Sequence, residues 1–418
     1  MTGYIKRDRY LRQLISRKDN GEVKIITGSR RCGKSWLLGK LYRDWIAGQG
    51  VSEDHIVSVS LDEEASQTGA CPADPAGLRR CLRERIRDDG RCYVFLDGTE
   101  KIPGFERLVN GLNSMGNTDV YITGPDSCFL SGGMSTLLRG RCDEVRVYPL
   151  TFSEFSDGRR EPLSVLWKEY CTFGGMPELM GHGTPLEKRD HLKLLWYSIC
   201  LGDIARRNQI RKRRALEAAA DLLCSFVGSP ANPGRISASL GTLGLSVSDD
   251  TVRSYLAALE NACLFSGARR FSIRERRYFR NIRKYYISDI GLLNAGTGFR
   301  EQDFHCIMEN VIFNELLARG WYVDTGVVES REMENGRQWF RQRGVCFVAE
   351  KGADRVYIQS SPAVPCGAER EQVLRPLRMI RDSFRKVVIV GSDIAPYTDD
   401  YGISWLGLFD FLLDGKAL

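Results

Sequence analysis

Gly28-Ser29-Arg30-Arg31-Cys32-Gly33-Lys34-Ser35 sets a lysine and a hydroxyl directly after a loop bounded by glycines. The spacing G-x-x-x-x-G-K-[ST] suits one task, wrapping a chain of phosphates. Glycines let backbone N–H groups curl around the β-phosphate, and the positive end of a following helix adds to them. Lys34 would reach the β- and γ-phosphates and Ser35 would ligate Mg²⁺. Ser29, Arg30, Arg31 and Cys32 within the loop, and Trp36 just beyond it, complete the expected contact surface. A second acid must hold the metal through water. "CYVFLD" (92–97) supplies it, since four apolar residues of a buried strand end in Asp97 at the carboxyl edge. The expected cofactors are ATP and Mg²⁺.

Elements must place these groups. Residues 1–150 alternate short β-rich runs with helical stretches, the pattern of a parallel sheet with crossover helices. The strands are expected at 23–27, 55–61, 92–97, 119–124 and 143–150, with a helix over "SWLLGKLYRDWI". Residues 151–204 read as helical, interrupted by "FGGMPELM". Residues 205–295 read as three helices and a β-ribbon. The third helix starts at Asp249 or Asp250, with Val252, Tyr255, Leu256, Leu259 and Cys263 on one face. Helix, helix, helix, ribbon is the order of a winged helix-turn-helix. Residues 296–418 read as a further α/β domain opening with the helix "FHCIMENVIFNELLARG".

The bulk properties fit several domains of a globular protein. The chain has 418 residues, 27% charged and 43% hydrophobic, too long for one ordinary core. No apolar run is long enough for a membrane span, and "MTGYIKRDRYLRQL" shows no secretory signal. Thirteen cysteines are scattered without a C-x-x-C pair, which points to reduced thiols in a cytoplasm. The four histidines (His55, His182, His191, His305) form no metal-binding helix motif.

Charge is concentrated. Segment 205–214 carries six bases and no acid, and segment 269–284 carries eight bases against one acid, in a chain whose net charge is +7. A focused basic band on an otherwise acidic body points to a polyanionic partner. The residues expected to meet nucleic acid are Arg206, Arg207, Arg211, Lys212, Arg213, Arg214, Arg253, Arg269, Arg270, Arg274, Arg276, Arg277 and Arg280. Tyr278, Phe279, Tyr285 and Tyr286 are interleaved with them.

"ITGSRRCGKSWLL", "FLDGTEKIPGFE", "YITGPDSCFLSGGMSTLLRGRCDEVRVYPLTFSEF", "GGMPEL" and "KYYISDIGLLNA" together resemble one family. It is the bacterial and archaeal group of AAA-type ATPases whose C-terminal half is a conserved domain of unknown function. The resemblance covers nearly the whole chain. It implies an AAA-like ATPase core at 1–150, a helical lid at 151–204, a winged helix at 205–295 and a restriction-endonuclease-like domain at 296–418. It places Thr123 to Ser127 at the sensor strand and gives Arg141 the part of an arginine that reaches a neighbouring subunit's nucleotide. A homo-oligomer is therefore expected.

Departures from the family pattern bear on activity. The acid that polarises the attacking water is replaced by Gly98, and Glu100 is the nearest substitute. Losing such a base costs roughly 10²–10⁴ in rate. The sensor reads "TGPDS", which brings Asp126 towards the γ-phosphate. In the C-terminal domain Glu309 matches the helical acid of a nuclease, but Cys346, Gln359 and Ser361 stand where the other acids and the lysine belong. ATP binding with slow hydrolysis and no cleavage of DNA is the resulting expectation. Two functions follow: an ATP-regulated protein that assembles on DNA, or a defence-type switch in which ATP-for-ADP exchange controls a protein partner.

Overall fold

The computed structural model describes residues 5–61, 74–99, 102, 104–124, 141–300, 303–334, 337–415 and 417–418. They fall into two units: Met1–Pro149 with Asn261–Cys263, and Leu150–Glu260 with Leu264–Leu418.

In the first unit five strands form one parallel sheet: β1 (Val23–Thr27), β2 (Ile56–Ser60), β3 (Cys92–Asp97), β4 (Thr118–Thr123) and β5 (Cys142–Arg146). Their order across the sheet is β2-β3-β4-β1-β5. β1 is buried along its whole length because both sheet faces are covered. Val23 and Ile25 point into one apolar layer with helices Pro75–Arg85 and Phe105–Asn113. Ile26 points into the other, with Tyr10 and Leu14 of helix Asp8–Arg17 and with Leu37, Leu41 and Tyr42 after the glycine loop. Those last residues lie on a helix that opens at Lys34–Trp36, widens to π-helical turns over Leu37–Tyr42 and closes as Arg43–Gly48.

The second unit begins with helices Phe152–Ser156, Leu163–Phe173 and Pro185–Tyr197. Thr151 and Thr184 cap the first and third of these through reciprocal bonds with Glu154 and Glu187. Helices Arg213–Ser225, Pro233–Thr242 and Asp249–Asn261 follow. The remaining strands are β6 (Pro230–Ala231), β7 (Phe265–Ser272), β8 (Arg277–Ile287), β9 (Tyr322–Glu334), β10 (Arg337–Lys351), β11 (Asp354–Ser361), β12 (Arg385–Val390), β13 (Tyr397–Thr398) and β14 (Ser404–Gly407). All nine share one sheet in the order β13-β14-β12-β11-β10-β9-β7-β8-β6.

The basic ribbon of β7 and β8 is thus no appendage. β7 pairs with β8 on one edge and runs parallel to β9 on the other, with Arg270, Phe271 and Ser272 opposite Thr325, Gly326 and Val327. The boundary expected at 295/296 crosses this sheet. Helix Phe304–Ala318 is buried at ten of its residues, Glu309 among them. No helix among the described residues is long and apolar enough to cross a membrane.

Candidate functional site

β1 delivers the glycine loop at its carboxyl end. Gly28 has φ +143°, and a Cβ there would lie 2.1 Å from the Val147 carbonyl oxygen, so no other residue fits this close approach. Val147 itself is fixed by donating its N–H to the Thr27 carbonyl at 2.8 Å. The buried Cys32 thiol donates to the same Val147 carbonyl at 3.4 Å. The loop is therefore closed from behind. Its lysine folds back over it: Lys34 Nζ donates to the carbonyls of Gly28 at 2.9 Å and Ser29 at 2.8 Å. Ser29 Oγ is buried and makes no hydrogen bond among the described residues. A buried hydroxyl without a partner among the described residues, an ammonium held there by neutral carbonyls, and a helix start, whose first N–H groups have no partner within the helix, suit a polyphosphate. Arg31, Ser35 and Trp36 are exposed around the loop, and Arg30 is half-buried.

Asp97 ends β3, two strands from β1, and is oriented by β4 between them. Thr123 Oγ1 donates to Asp97 Oδ1 and accepts the Gly98 N–H at 3.2 Å. One hydroxyl so fixes both the carboxylate and the turn behind it. Gly98 has φ +78°. Gly98, at the position where the family resemblance implies a water-polarising acid, thus has a left-handed backbone, a conformation that costs other residues roughly 1–2 kcal/mol. Glu100 and Asp126 lie outside the described residues, as does the side chain of Arg280.

Arg141 is exposed and donates to Asn110 Oδ1 at 3.4 Å. It precedes β5, whose first residue pairs with Val23, while the glycine loop leaves the sheet after Thr27. Four residue steps, about 13 Å, separate those ends. Arg141 stands at the far end of the sheet from its own chain's loop.

A feature that sequence reasoning missed lies beneath the loop. Lys24 and Asp119 form a fully buried ion pair at 2.5 Å. Tyr121 donates to the same carboxylate at 2.7 Å, and its hydroxyl lies 2.6 Å from that of Tyr42. Burial pushes both phenols well above their ordinary range. The network ties together the strand before the loop, the strand bearing Thr123 and the helix after the loop. Its signal was a lone lysine inside an apolar strand.

In the second unit the expected nuclease positions are committed internally. Glu309 Oε1 accepts from Lys284 Nζ at 3.0 Å and from the Tyr286 hydroxyl at 2.6 Å. Gln359 accepts from the Cys346 N–H at 3.0 Å and donates to the Gly344 carbonyl, and Ser361 donates to the Ala363 carbonyl. Burial, then Glu309, pushes the Cys346 thiol up to about 11. Among the described residues no three His, Cys, Asp or Glu side chains gather as a metal site. Ten described cysteines are free and Cys81 is disulfide-bonded.

The basic segments carry stacked guanidinium groups. Arg269 lies 3.9 Å from the Tyr278 ring centre, and Arg270 and Arg277 lie over Phe279 at 5.0 and 5.7 Å. Arg269 also pairs with Asp324, Arg277 with Glu275, Arg283 with Glu260 and Arg253 with Asp250. Arg211 and Lys212 line a cleft of about 670 Å³ with Ser246, Ser248, Thr251 and Ser254, beside the start of helix Asp249–Asn261. "GGMPEL" and "YISDIGLLNA" meet at buried Asp289, which accepts the N–H groups of Gly175 at 2.7 Å and Leu292 at 3.1 Å. Burial raises that carboxyl to about 6, with the backbone N–H groups opposing.

Parts of the chain are similar to known proteins. Residues 20–156 match an AAA domain and residues 164–303 a domain of unknown function. An uncharacterized Haemophilus influenzae protein is 32% identical over 415 residues, covering 98% of each chain. An uncharacterized Methanocaldococcus jannaschii protein is 24% identical over 316 residues, 72% of this chain and 67% of that one. Among solved structures, the Aeropyrum pernix ORC2 protein in ADPNP–ADP complexes is similar at 13% identity and TM-score 0.40, covering 71% of this chain and 95% of its own. The Aeropyrum pernix ORC1 protein in complex with DNA is similar at 16% identity and TM-score 0.29, covering 71% and 94%.

Proposed function

The chain belongs to one family with the Haemophilus influenzae protein, and from that premise and the loop geometry we propose that it is a cytoplasmic ATP-binding protein that hydrolyses slowly and associates with DNA. The carrying observation is the glycine loop closed on Val147 with Lys34 folded back over it. Lys34 and the helix N–H groups would hold the β- and γ-phosphates. Ser35 would ligate Mg²⁺ and Asp97, oriented by Thr123, would hold its water. The metal supplies charge neutralisation for phosphoryl transfer when bound. Gly98 brings no base to the attacking water, which supports a slow clock. Arg141, at the far end of the sheet, suits action on the nucleotide of a second copy and hence a homo-oligomer.

For DNA the support is the basic ribbon and the Arg211–Lys212 cleft. The ion pairs of the ribbon arginines are exposed on at least one side, and such pairs contribute only about 0–1 kcal/mol. Phosphates can displace those acids at small cost and gain counterion release. The same pairs favour a second reading, in which the arginines close the unit on itself and ATP-for-ADP exchange regulates a protein partner.

A gel-shift titration of labelled duplex at moderate salt, with and without ATP and Mg²⁺, tests the choice. Changing Arg211, Arg213, Arg276 and Arg277 to Glu should weaken binding alike for all sequences. The slope of log K against log salt should flatten by about one unit per lost contact. ATP affinity should survive. A wild-type protein that leaves duplex unshifted even at low salt decides for the switch.

A further inference from the structure

A cavity of about 310 Å³ opens in the second unit between the basic ribbon and helix Phe304–Ala318, lined by Arg270, Arg283, Lys284, Glu309, Gly344 and Cys346 among others. Three cations face it against a single carboxylate. That carboxylate is already matched, since Lys284 Nζ and the Tyr286 hydroxyl both donate to Glu309 Oε1. Arg270 donates to the neutral Gln342 amide at 2.8 Å, and Arg283 shares its charge with Glu260 at 3.2 Å. The thiol of Cys346 adds no negative charge, because burial keeps it protonated. The cavity therefore carries a positive excess. Its volume lies at the lower bound of small-ligand sites, more than a lone phosphate needs and enough for one nucleotide.

We infer that this cavity takes one nucleotide of a single nucleic-acid strand, its phosphate held by Lys284 and Arg270 without a metal ion. The inference rests on the DNA reading above and deepens it. Continuity supports a strand as the source: Arg270 lies on β7 and Arg283 and Lys284 on β8, the same ribbon that carries Arg269 and Arg277 with their stacked rings. Glu309 sets the strength of the site. It neutralises Lys284 from inside, while burial would by itself lower that ammonium and Glu309 holds it above its ordinary value.

The test is fluorescence anisotropy of the full chain with labelled oligothymidylate in EDTA. Wild type should bind without Mg²⁺. Lys284→Met should weaken binding about tenfold, the scale of one charge-assisted contact. Glu309→Gln keeps the acceptor oxygen for Tyr286 and leaves Lys284 uncompensated, so it should tighten binding severalfold. Misfolding can weaken binding but cannot tighten it, so the opposite signs carry the test. Both variants matching wild type, both weakening, or a requirement for Mg²⁺ overturns the pocket. If duplex still shifts in that case, the wider DNA reading stands. If wild type binds neither strand nor duplex, both readings fall.

Discussion

Asp97 in the first unit and Glu309 in the second are both acids held by side chains of their own unit, and they differ in the charge of what holds them. Asp97 accepts from the neutral hydroxyl of Thr123, which positions it and leaves its charge available to a cation. Glu309 accepts from an ammonium and a phenol, so its charge is matched within the fold. Lys34 follows the first pattern, bonded to two carbonyls. A site that keeps its ions on neutral partners is prepared for a charged ligand. A site that pairs its acid internally has taken that acid's charge away from a metal ion.

Lys34→Ala should break the comparison most severely. Two charge-assisted bonds to phosphate, each about 1.5–3 kcal/mol, disappear with nothing to replace them. ATP affinity by calorimetry should fall about 10²–10⁴-fold, and an unchanged value would remove the first unit's claim to a ligand.

Asp289 sharpens it with a third arrangement, an acid held by neutral backbone N–H groups but cut off from solvent. Its carboxyl is raised from 3.8 to about 6. The folded state thus binds the extra proton between those values, so stability is highest below the window and falls as pH rises through it, by up to about 3 kcal/mol. Unfolding midpoints of Asp289→Asn across about pH 4–6 should be flatter than those of wild type. An equally steep variant would place the dependence elsewhere.

Thr123→Val takes away the neutral holder. It leaves Asp97 and the Gly98 N–H without their shared hydroxyl, at a cost of about 1–3 kcal/mol in stability. ATP affinity in EDTA should hold while the gain on adding Mg²⁺ shrinks. A full Mg²⁺ effect in the folded variant would show that Asp97 needs no positioning.

Gly98→Glu is the gentlest change. The left-handed φ of +78° costs any side chain roughly 1–2 kcal/mol, so Gly98→Ala and Gly98→Glu should lower the melting midpoint by similar few-degree amounts. Only Glu should raise ATP turnover. An equal rise with Ala would move the base to Glu100.

Much of the first unit was legible in sequence because its signals are local. Strand positions, the 28–35 loop and the helix after it follow from runs of adjacent residues, and the strands lie within a few residues of those expected. The partner of Asp97 was not legible as such, since Thr123 comes to it through sheet order, which no single segment encodes. The buried Lys24–Asp119 pair was missed for the same reason, its partners standing 95 residues apart. In the second unit, helix Asp249–Asn261 and the ribbon were visible as elements. The parallel pairing of β7 with β9 was not, because alternating apolar residues record that a strand has neighbours without saying which. The engagement of Glu309 by Lys284 escaped because the lysine was counted as part of a surface basic run.

That pairing also sets a timetable for synthesis. β7 is complete before β9 exists, and Arg270 must wait for Thr325 to be made. At about 5–20 residues per second, the interval on the ribosome is roughly three to ten seconds. Once clear of the ribosome, and until β9 follows, the edge of β7 has no strand of its own to pair with, the condition in which nascent chains seek wrong partners. The arginines on β7 and its turn are of the kind that would keep such an edge in water until its own strand arrives.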